Sequence, residues 1–475
     1  MNKYLLLDSG TLTPQGLDNV RLEICEMKKE TMYTPFFTED YFREPARRWE
    51  VRIDNGYPNV IYDPAERIYR CYYTLCTYDP ASANTPLSER KITHYEPLPG
   101  RITSLAYAES RDGVMWYKPA LGLVSFEGNT ENNLLFLHAH GTGVFLDERE
   151  EDPKKRYKLV TKVEGPDESG FMAVNFSEDG IHWGEMVPWP EHNPRADSHN
   201  FVFRDERDGT FRLITRTWKN GVRISVMSES RDFIRWSEPV EILRGRRFSA
   251  QVYSMPVFQY EGLYLGLPSV FHEGDRSSDD FDTVDCELAF AAEPEHFDWV
   301  CPGSPVIRRG KGRYPGEFDC GCIFASAPVE IDGQMWVYYM GGNGQHSDFR
   351  ESSLGRASFE QDKLAFYTAV DREKRGLLTT AAFRFFGEDI EVLAEMGEQG
   401  YLEAALCTKW NRPIEGFGYA ECEILPGEGR YYKIHFKNRN IQDWGQRPVL
   451  ISLRFQDCRI YAFRGALELQ SPKYG

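Results

Sequence analysis

Four segments of this 475-residue chain end in a tryptophan, and their recurrence constrains the fold more than any other feature of the sequence. The segments are 109–116, 176–183, 228–236 and 292–299, and their tryptophans lie 67, 53 and 63 residues apart. A period of this size in strand-rich sequence is typical of a β-propeller, in which each blade repeats one set of strands around a central axis.

The first two segments contain a turn motif of the form Ser-x-Asp-Gly-x-x-Trp. An Asp-Gly pair, as in Asp112-Gly113 and Asp179-Gly180, favours a tight turn because glycine adopts positive φ without strain. The tryptophan ring that follows is large enough to cover the outer strands of a blade. The third segment has Phe233 in place of the glycine. We interpret these turns as structural rather than catalytic.

The strand-like segments predict an all-β protein with a five-bladed β-propeller followed by a C-terminal β-sandwich. Aromatic residues make up 14% of the chain, and segments with a helical period are scarce. Five innermost strands open near residues 54, 141, 197, 251 and 317. The predicted domains are an N-terminal extension packing on the propeller (1–50), the propeller itself (51–370) and the sandwich (371–475), where evenly spaced short strands continue.

Charge and composition narrow the classes of partner. The net charge of −17 and the absence of a basic stripe argue against a nucleic-acid ligand. No apolar run is long enough to span a membrane, and the N-terminus lacks the pattern of a signal peptide, which predicts a cytoplasmic protein. The ten cysteines form no C-x-x-C pattern, so we predict reduced thiols, no metal site and no cofactor.

Three carboxylates stand at the start of predicted innermost strands, in blades one, three and five. They are Asp54, Asp197 and Glu317. Such strands converge at the propeller axis, and a set of carboxylates is what glycoside hydrolysis requires. We predict Asp54 as nucleophile or general base, Asp197 as the group that orients the sugar, and Glu317 as proton donor. Because side chains alternate along a strand, Asp319 shares a face with Glu317, and either could be the acid.

Five further residues are predicted to bind the substrate near the same rim. Tyr57, His199, Trp218 and Tyr253 offer rings on which a sugar can stack. Arg216 follows Asp197 on the second strand of its blade and carries a planar guanidinium that matches hydroxyl or carboxylate groups. The predicted ligand is therefore a small carbohydrate.

The order of propeller and sandwich, with acids in blades one, three and five, resembles the five-bladed glycoside hydrolases of the invertase-like family 32 and the arabinanase-like family 43. The stretch from Arg52 to Asn59 keeps an Asp and an Asn of the family 32 signature Trp-x-Asn-Asp-Pro-Asn-Gly. The Arg-Asp-Pro and Glu-Cys motifs of that family are absent from the predicted propeller, residues 51–370. The resemblance implies a divergent glycosidase that acts on a small glycoside or oligosaccharide.

Two other functions remain open on the sequence alone. A glycoside phosphorylase resembling the mannoside phosphorylases would need a single acid and a cationic pocket for phosphate. A non-catalytic propeller that binds sugars or proteins is the third reading, because a fold does not fix a function. The sequence does not distinguish retention from inversion, and it does not indicate the sugar or the oligomeric state.

Overall fold

The computed structural model describes residues 2–8, 10–165 and 170–470. Strands dominate it, which confirms the all-β prediction. Within these ranges the helices are the short α-helix Pro80–Asn84 and the 3-10 helices Pro153–Lys155 and Ile441–Trp444. In the described part of the chain, no helix has the length and apolar character that crossing a membrane requires.

The chain divides into two compact units. The blade unit is Met27–Ser358, and the C-terminal unit combines Met1–Glu26 with Phe359–Gly475. The sequence-based boundaries were residues 50 and 370. Strand pairing explains the difference at the N-terminal boundary. Phe37 pairs with Leu354, so the segment around residue 37 belongs to a sheet of the blade unit.

Four antiparallel sheets of the described residues are propeller-like blades, in which neighbouring strands pair in chain order. The first blade contains Asn59–Asp63, Ile68–Tyr78, Ile102–Ser110, Trp116–Tyr117 and Leu134–Leu137. The second contains Ala139–Leu146, Tyr157–Glu164, Gly170–Ser177 and Val187–Pro188. The third contains Phe201–Arg204, Phe211–Lys219, Val222–Ser230 and Val240–Arg244. The fourth contains Val257–Tyr260, Leu263–Gly266, Leu288–Ala291 and Asp298–Val300.

A nine-stranded sheet occupies the remainder of the blade unit. Its strands are Gln251–Ser254, Ser269–Phe271, Val284–Cys286, Cys322–Ala325, Val329–Ile331, Gln334–Gly342, Ser352–Phe359, Lys28–Lys29 and Phe37–Thr38. A parallel pairing of Val284 with Cys322 joins its two halves.

Two prolines separate strands of this sheet from strands of the fourth blade along the chain. Pro256 and Pro268 have no N–H for a ladder hydrogen bond, so each ends one strand segment and precedes another. Their carbonyls still accept from Leu267 N at 2.9 Å and Glu287 N at 3.0 Å. The backbone contact is therefore continuous across each break.

The tryptophan turns have one geometry in the first three blades. Each Asp side chain accepts hydrogen bonds from two following backbone N–H groups; in the first blade, Asp112 accepts from Val114 at 2.8 Å and Met115 at 2.7 Å. Each indole N–H donates to the carbonyl of the positive-φ residue, which is Gly113, Gly180 or Phe233. The fourth differs, because Trp299 donates to Arg244 O. The motif is thus structural in its contacts.

Buried carboxylates at the far end of the innermost strands join consecutive blades. We call Asp63, Asp147 and Asp205 the inter-blade carboxylates; each is at most 3% exposed. Each accepts a hydrogen bond from the next blade: Asp63 from Tyr157 at 2.6 Å, Asp147 from Arg204 at 3.2 Å, and Asp205 from Tyr264 at 2.5 Å. Pairing satisfies charges that would otherwise be costly to bury.

The C-terminal unit is built on an eight-stranded sheet. Its strands are Val20–Ile24, Ala365–Ala369, Val449–Leu469, Gly376–Cys407, Tyr431–Phe436, Cys422–Pro426, Asn2–Leu5 and Leu12–Asp18. The 32-residue strand Gly376–Cys407 bends around its partner, because Phe455 pairs with Gly376 on one side and Leu402 on the other. Buried aliphatic and phenylalanine side chains fill the enclosed core.

Candidate active site

Asp54 lies in an irregular segment just before the first innermost strand. Its φ is 57°, a conformation that Asp tolerates better than most residues. Its carboxylate is 25% exposed and lies 2.9 Å from Arg350, 3.1 Å from Arg52 and 3.7 Å from Arg101. Burial alone would raise the pKa of Asp54, but these three guanidinium groups outweigh it and hold the pKa well below its ordinary value. Asp54 is therefore ionised at neutral pH.

Asp197 precedes the innermost strand of the third blade and is held in the same manner. Its Oδ1 lies 2.7 Å from Arg216 and its Oδ2 lies 3.2 Å from Arg195, with 32% of the side chain exposed. Burial opposes ionisation, yet Arg216 first and then Arg195 lower the pKa of Asp197. Both predicted carboxylates are thus anions surrounded by guanidinium groups.

The predicted aromatic residues Tyr57, Tyr253 and His199 are buried. Tyr57 and Tyr253 belong to one buried cluster with Phe271, Val284, Cys322 and Phe324. His199 stacks on Tyr57 with ring centroids 5.6 Å apart, and its Nε2 lies 3.1 Å from Asn59 Oδ1. Burial lowers the pKa of His199 to about 3, so this ring is neutral. Tyr57 and His199 are therefore packed side chains of the core.

Trp218 marks the other side of the site. Three guanidinium groups lie near its indole ring, at 4.3 Å for Arg223, 5.7 Å for Arg216 and 5.9 Å for Arg195. Arg216 also lies over the ring of Tyr253 at 4.3 Å. Arginine stacks readily on aromatic faces, and this packing fixes the guanidinium that binds Asp197.

A cavity of about 950 Å³ opens at this mouth of the blades. Asp197 is in its lining, and so is Arg101, which reaches Asp54. The lining also contains Lys162, Arg195, His138, and the pair His140–Glu164, whose side chains lie 3.1 Å apart. Burial opposes the ionisation of Glu164, but His140 and Thr103 lower its pKa to about 2. The cavity is large enough for an oligosaccharide, and its wall combines these charged and His side chains with apolar residues such as Leu98 and Ile102.

The structure does not bring Glu317 into that lining. Its side chain is exposed, and its carboxylate accepts from the backbone N of Lys311 at 2.8 Å. Asp319 is buried and lies 2.5 Å from Lys29 and 2.8 Å from the hydroxyl of Tyr339. Its partners contact neither Asp54 nor Asp197 in the described residues, so Asp319 serves a local ion pair.

Sequence reasoning missed the arginines that surround the two carboxylates. Arg52, Arg101, Arg195 and Arg350 come from separate segments of the chain, so no basic stretch reveals them. Of these arginines, only Arg52 lies in the stretch from Arg52 to Asn59 that was compared with the family 32 signature. The His140–Glu164 pair was also missed, because its members lie on neighbouring strands of the second blade. In the ranges that the structure describes, no group of three or more His, Cys, Asp and Glu side chains could hold a metal ion.

Comparison with solved structures finds likenesses to glycoside hydrolases and to the GH130 family. A glycosyl hydrolase from Bacteroides ovatus is 12% identical, with 72% of this chain and 95% of that chain covered at a TM-score of 0.47. A member of the GH130 family of mannoside phosphorylases, which contains glycoside hydrolases that target β-1,2 mannosidic linkages in Candida mannan, is 13% identical (72% and 96% covered, TM-score 0.46). A thermostable family-43 glycoside hydrolase is 18% identical (65% and 91%, 0.44). The chain is thus similar to propeller glycoside hydrolases at low identity.

Sequence comparison adds one partial match. A stretch of 152 residues is 30% identical to the phenylalanine–tRNA ligase alpha subunit of Prosthecochloris aestuarii. It covers 30% of this chain and 41% of that protein, so the chain spans less than half the length of this relative. No family model matches the chain.

Proposed function

We propose that this protein is a glycoside hydrolase that binds a small glycoside or oligosaccharide in the cavity beside Asp54 and Asp197. In this proposal the four blades and the strands around Cys322–Ala325 form a ring of five blades, and the C-terminal unit is the predicted sandwich. One observation carries the proposal: a single cavity is lined by Asp197 and by Arg101, whose guanidinium lies 3.7 Å from Asp54.

The roles follow from the charge state of the two carboxylates. An ionised carboxylate can attack the anomeric carbon or activate water, and the arginines keep Asp54 in that state. We assign Asp54 as nucleophile or general base. Asp197, fixed between Arg216 and Arg195, is assigned to orient the sugar by accepting hydrogen bonds from its hydroxyl groups.

The proton donor is the least supported role. Glu317 as donor stays a prediction, because its carboxyl group lies outside the cavity lining and a donor must reach the leaving oxygen. A Glu317→Gln variant tests it on a glycoside with a poor leaving group. A loss of about 100-fold or more would support the role. Unchanged activity would move it to a lining residue, with His140 the first candidate, and the exposed Glu330→Gln change serves as control.

A second candidate function is favoured by the excess of arginines. A phosphorylase replaces water by phosphate, and guanidinium groups bind phosphate in a bidentate manner. Three arginines surround Asp54 alone. The sequence showed no cationic cluster at the rim, so this arrangement strengthens the phosphorylase reading relative to the sequence-based view.

One assay separates these functions. The purified protein is incubated with a panel of nitrophenyl glycosides, with and without inorganic phosphate, and the sugar product is identified. We expect free sugar in both buffers, and the Asp54→Asn variant gives the background. Sugar phosphate formed only with phosphate would establish the phosphorylase. No turnover above the Asp54→Asn background on any glycoside would contradict both and favour a non-catalytic binding propeller.

A further inference from the structure

The cavity beside Asp197 is rich in cations although the chain as a whole is strongly acidic. The net charge is −17, yet the lining contains Arg101, Lys162 and Arg195 against the carboxylates Glu164 and Asp197. A local excess of cations in a strongly acidic protein favours ligands of negative charge at that place. Neutral sugars gain nothing from such a field.

The wall behind Asp197 has more cationic capacity than its own carboxylates use. Arg216 gives Nη2 to Asp197, while its buried Nε and Nη1 have no hydrogen-bond partner in the described residues. Arg223 pairs with Glu273 at 3.0 Å, and its Nε also lacks a partner there. Both guanidinium groups stack on the rings of Trp218 and Tyr253 and lie outside the cavity lining, so they add positive charge behind Asp197 without contacting the cavity.

Three guanidinium groups around one indole would repel each other without nearby anions. Near Trp218 the carboxylates are Asp197, shared by Arg216 and Arg195, and Glu273 on Arg223. Arg195 is 66% exposed and lines the cavity, so it can turn one edge of its planar fork toward a ligand. That fork matches a carboxylate, a sulfate or a phosphate.

We propose that the substrate is an acidic sugar, whose carboxylate, sulfate or phosphate group binds between Arg195 and Lys162 at the Asp197 side of the cavity. The proposal rests on the proposed function in taking the ligand to be a sugar. It adds the substrate class, because an acidic group would give Arg195 and Lys162 an anion of their own. Arg195 shares Asp197 with Arg216, and Lys162 donates, within the described residues, only to Asn193 Oδ1 and Pro194 O. Free inorganic phosphate offers the same chemistry, and the test separates the two sources.

The first arm measures binding to the whole protein by titration calorimetry. The probes are glucuronate, galacturonate and glucose 6-phosphate, each against its neutral parent sugar, and inorganic phosphate alone. We expect at least one acidic sugar to bind about tenfold or more tightly than its parent, as charge-assisted hydrogen bonds provide. Arg195→Gln should remove this preference, and Arg195→Lys should restore most of it. Arg235→Gln is the matched control, because Arg235 is exposed on the turn of the third blade and pairs with Asp232.

The second arm compares cleavage of nitrophenyl glucuronide with that of the corresponding glucoside, and likewise for the galactose pair. Higher kcat/KM for the acidic member supports the proposal. Cleavage of neutral glycosides without a preference for acidic ones would overturn it and leave the hydrolase intact. Preferential binding of acidic sugars without cleavage of any glycoside would contradict the hydrolase and support the acidic ligand. Tight binding of inorganic phosphate with no preference among the sugars would overturn the proposal and assign the cations to a free anion.

Discussion

Carboxylates at the two ends of the innermost strands have opposite environments. Asp54 and Asp197 precede their strands, keep 25% and 32% of their side chains exposed, and face guanidinium groups next to a large cavity. The inter-blade carboxylates Asp63 and Asp205 stand at the far ends of the same strands and are fully buried against the next blade.

The comparison teaches that position along a blade strand decides what an acidic residue does. A carboxylate with every oxygen satisfied inside the protein stabilises the ring and has no capacity left for a ligand. A carboxylate that is ion-paired yet open to a cavity can accept a substrate hydroxyl or attack a carbon. In the sequence, each of these carboxylates is an Asp beside an apolar run. The two kinds differ in whether the Asp precedes the innermost strand or follows it.

The largest expected effect is on catalysis at the mouth. Asn keeps the shape of Asp and tolerates the positive φ at this position, so Asp54→Asn removes the charge alone. We expect kcat/KM to fall about 1,000-fold, within the range for loss of a catalytic base. Steady-state assays on the best glycoside of the panel provide the measurement. Retention of more than a tenth of the activity would remove Asp54 from the mechanism.

The next effect is on stability at the far end. Asp205→Asn leaves Arg212 and Tyr264 without their buried anion, and we expect the free energy of unfolding to fall by about 3–5 kcal/mol. Urea unfolding measures it. Asp208→Asn is the matched control, since Asp208 pairs with the same arginine at the surface and should cost less than about 1 kcal/mol. If the free energy of unfolding fell equally in the two variants, burial of Asp205 would contribute nothing beyond a surface ion pair.

Much of the fold was predictable because its signals are local. The turn motif at Asp112 and Asp179 and the strand-rich composition sufficed for an all-β protein with propeller-like blades. The pairing of Phe37 with Leu354 was not predictable, because no local pattern links residues more than 300 positions apart.

The position of a candidate site residue was predictable only where the register of the strand that follows it was predictable. Asp54 and Asp197 precede regular strands; Asp197 lines the cavity, and Asp54 lies 3.7 Å from Arg101 of the same lining. Glu317 lies in a stretch before Cys322–Ala325 that has no regular strand, so alternation gives no orientation there. The arginines around Asp54 converge from distant segments of the chain, and only the folded blade unit brings them together.

Stability should also depend on pH through Glu39, a buried carboxyl group close to Asp54 in the folded chain. Glu39 accepts from Ile53 N, next to Asp54, at 2.8 Å. Burial and then Glu351 raise the pKa of Glu39 to about 7. The folded state therefore binds a proton that the unfolded chain releases near pH 4.5, so stability should fall as pH rises through this window, by roughly 3 kcal/mol in total. Glu39→Gln should flatten the profile of unfolding free energy against pH, with Glu330→Gln as control. An unchanged slope would show that Glu39 is ionised throughout.

The smallest expected effect concerns the turns, which belong to neither end of the innermost strands. Gly180 has a φ of 75°, and a Cβ there would lie 2.3 Å from the hydroxyl of Tyr72, which donates to the Gly180 carbonyl. Gly221 has a φ of 77° but open space around it. Both Gly→Ala changes carry the strain of positive φ, about 1 kcal/mol, and only Gly180→Ala adds the clash.

We expect unfolding free energy to fall by about 1 kcal/mol for Gly221→Ala and by about 2–3 kcal/mol for Gly180→Ala. Because Tyr72 belongs to the first blade and Gly180 to the second, the excess measures how tightly the turn is packed between blades. A Gly180→Ala loss no larger than that of Gly221→Ala would show that Tyr72 moves aside freely and that the turn is a surface feature.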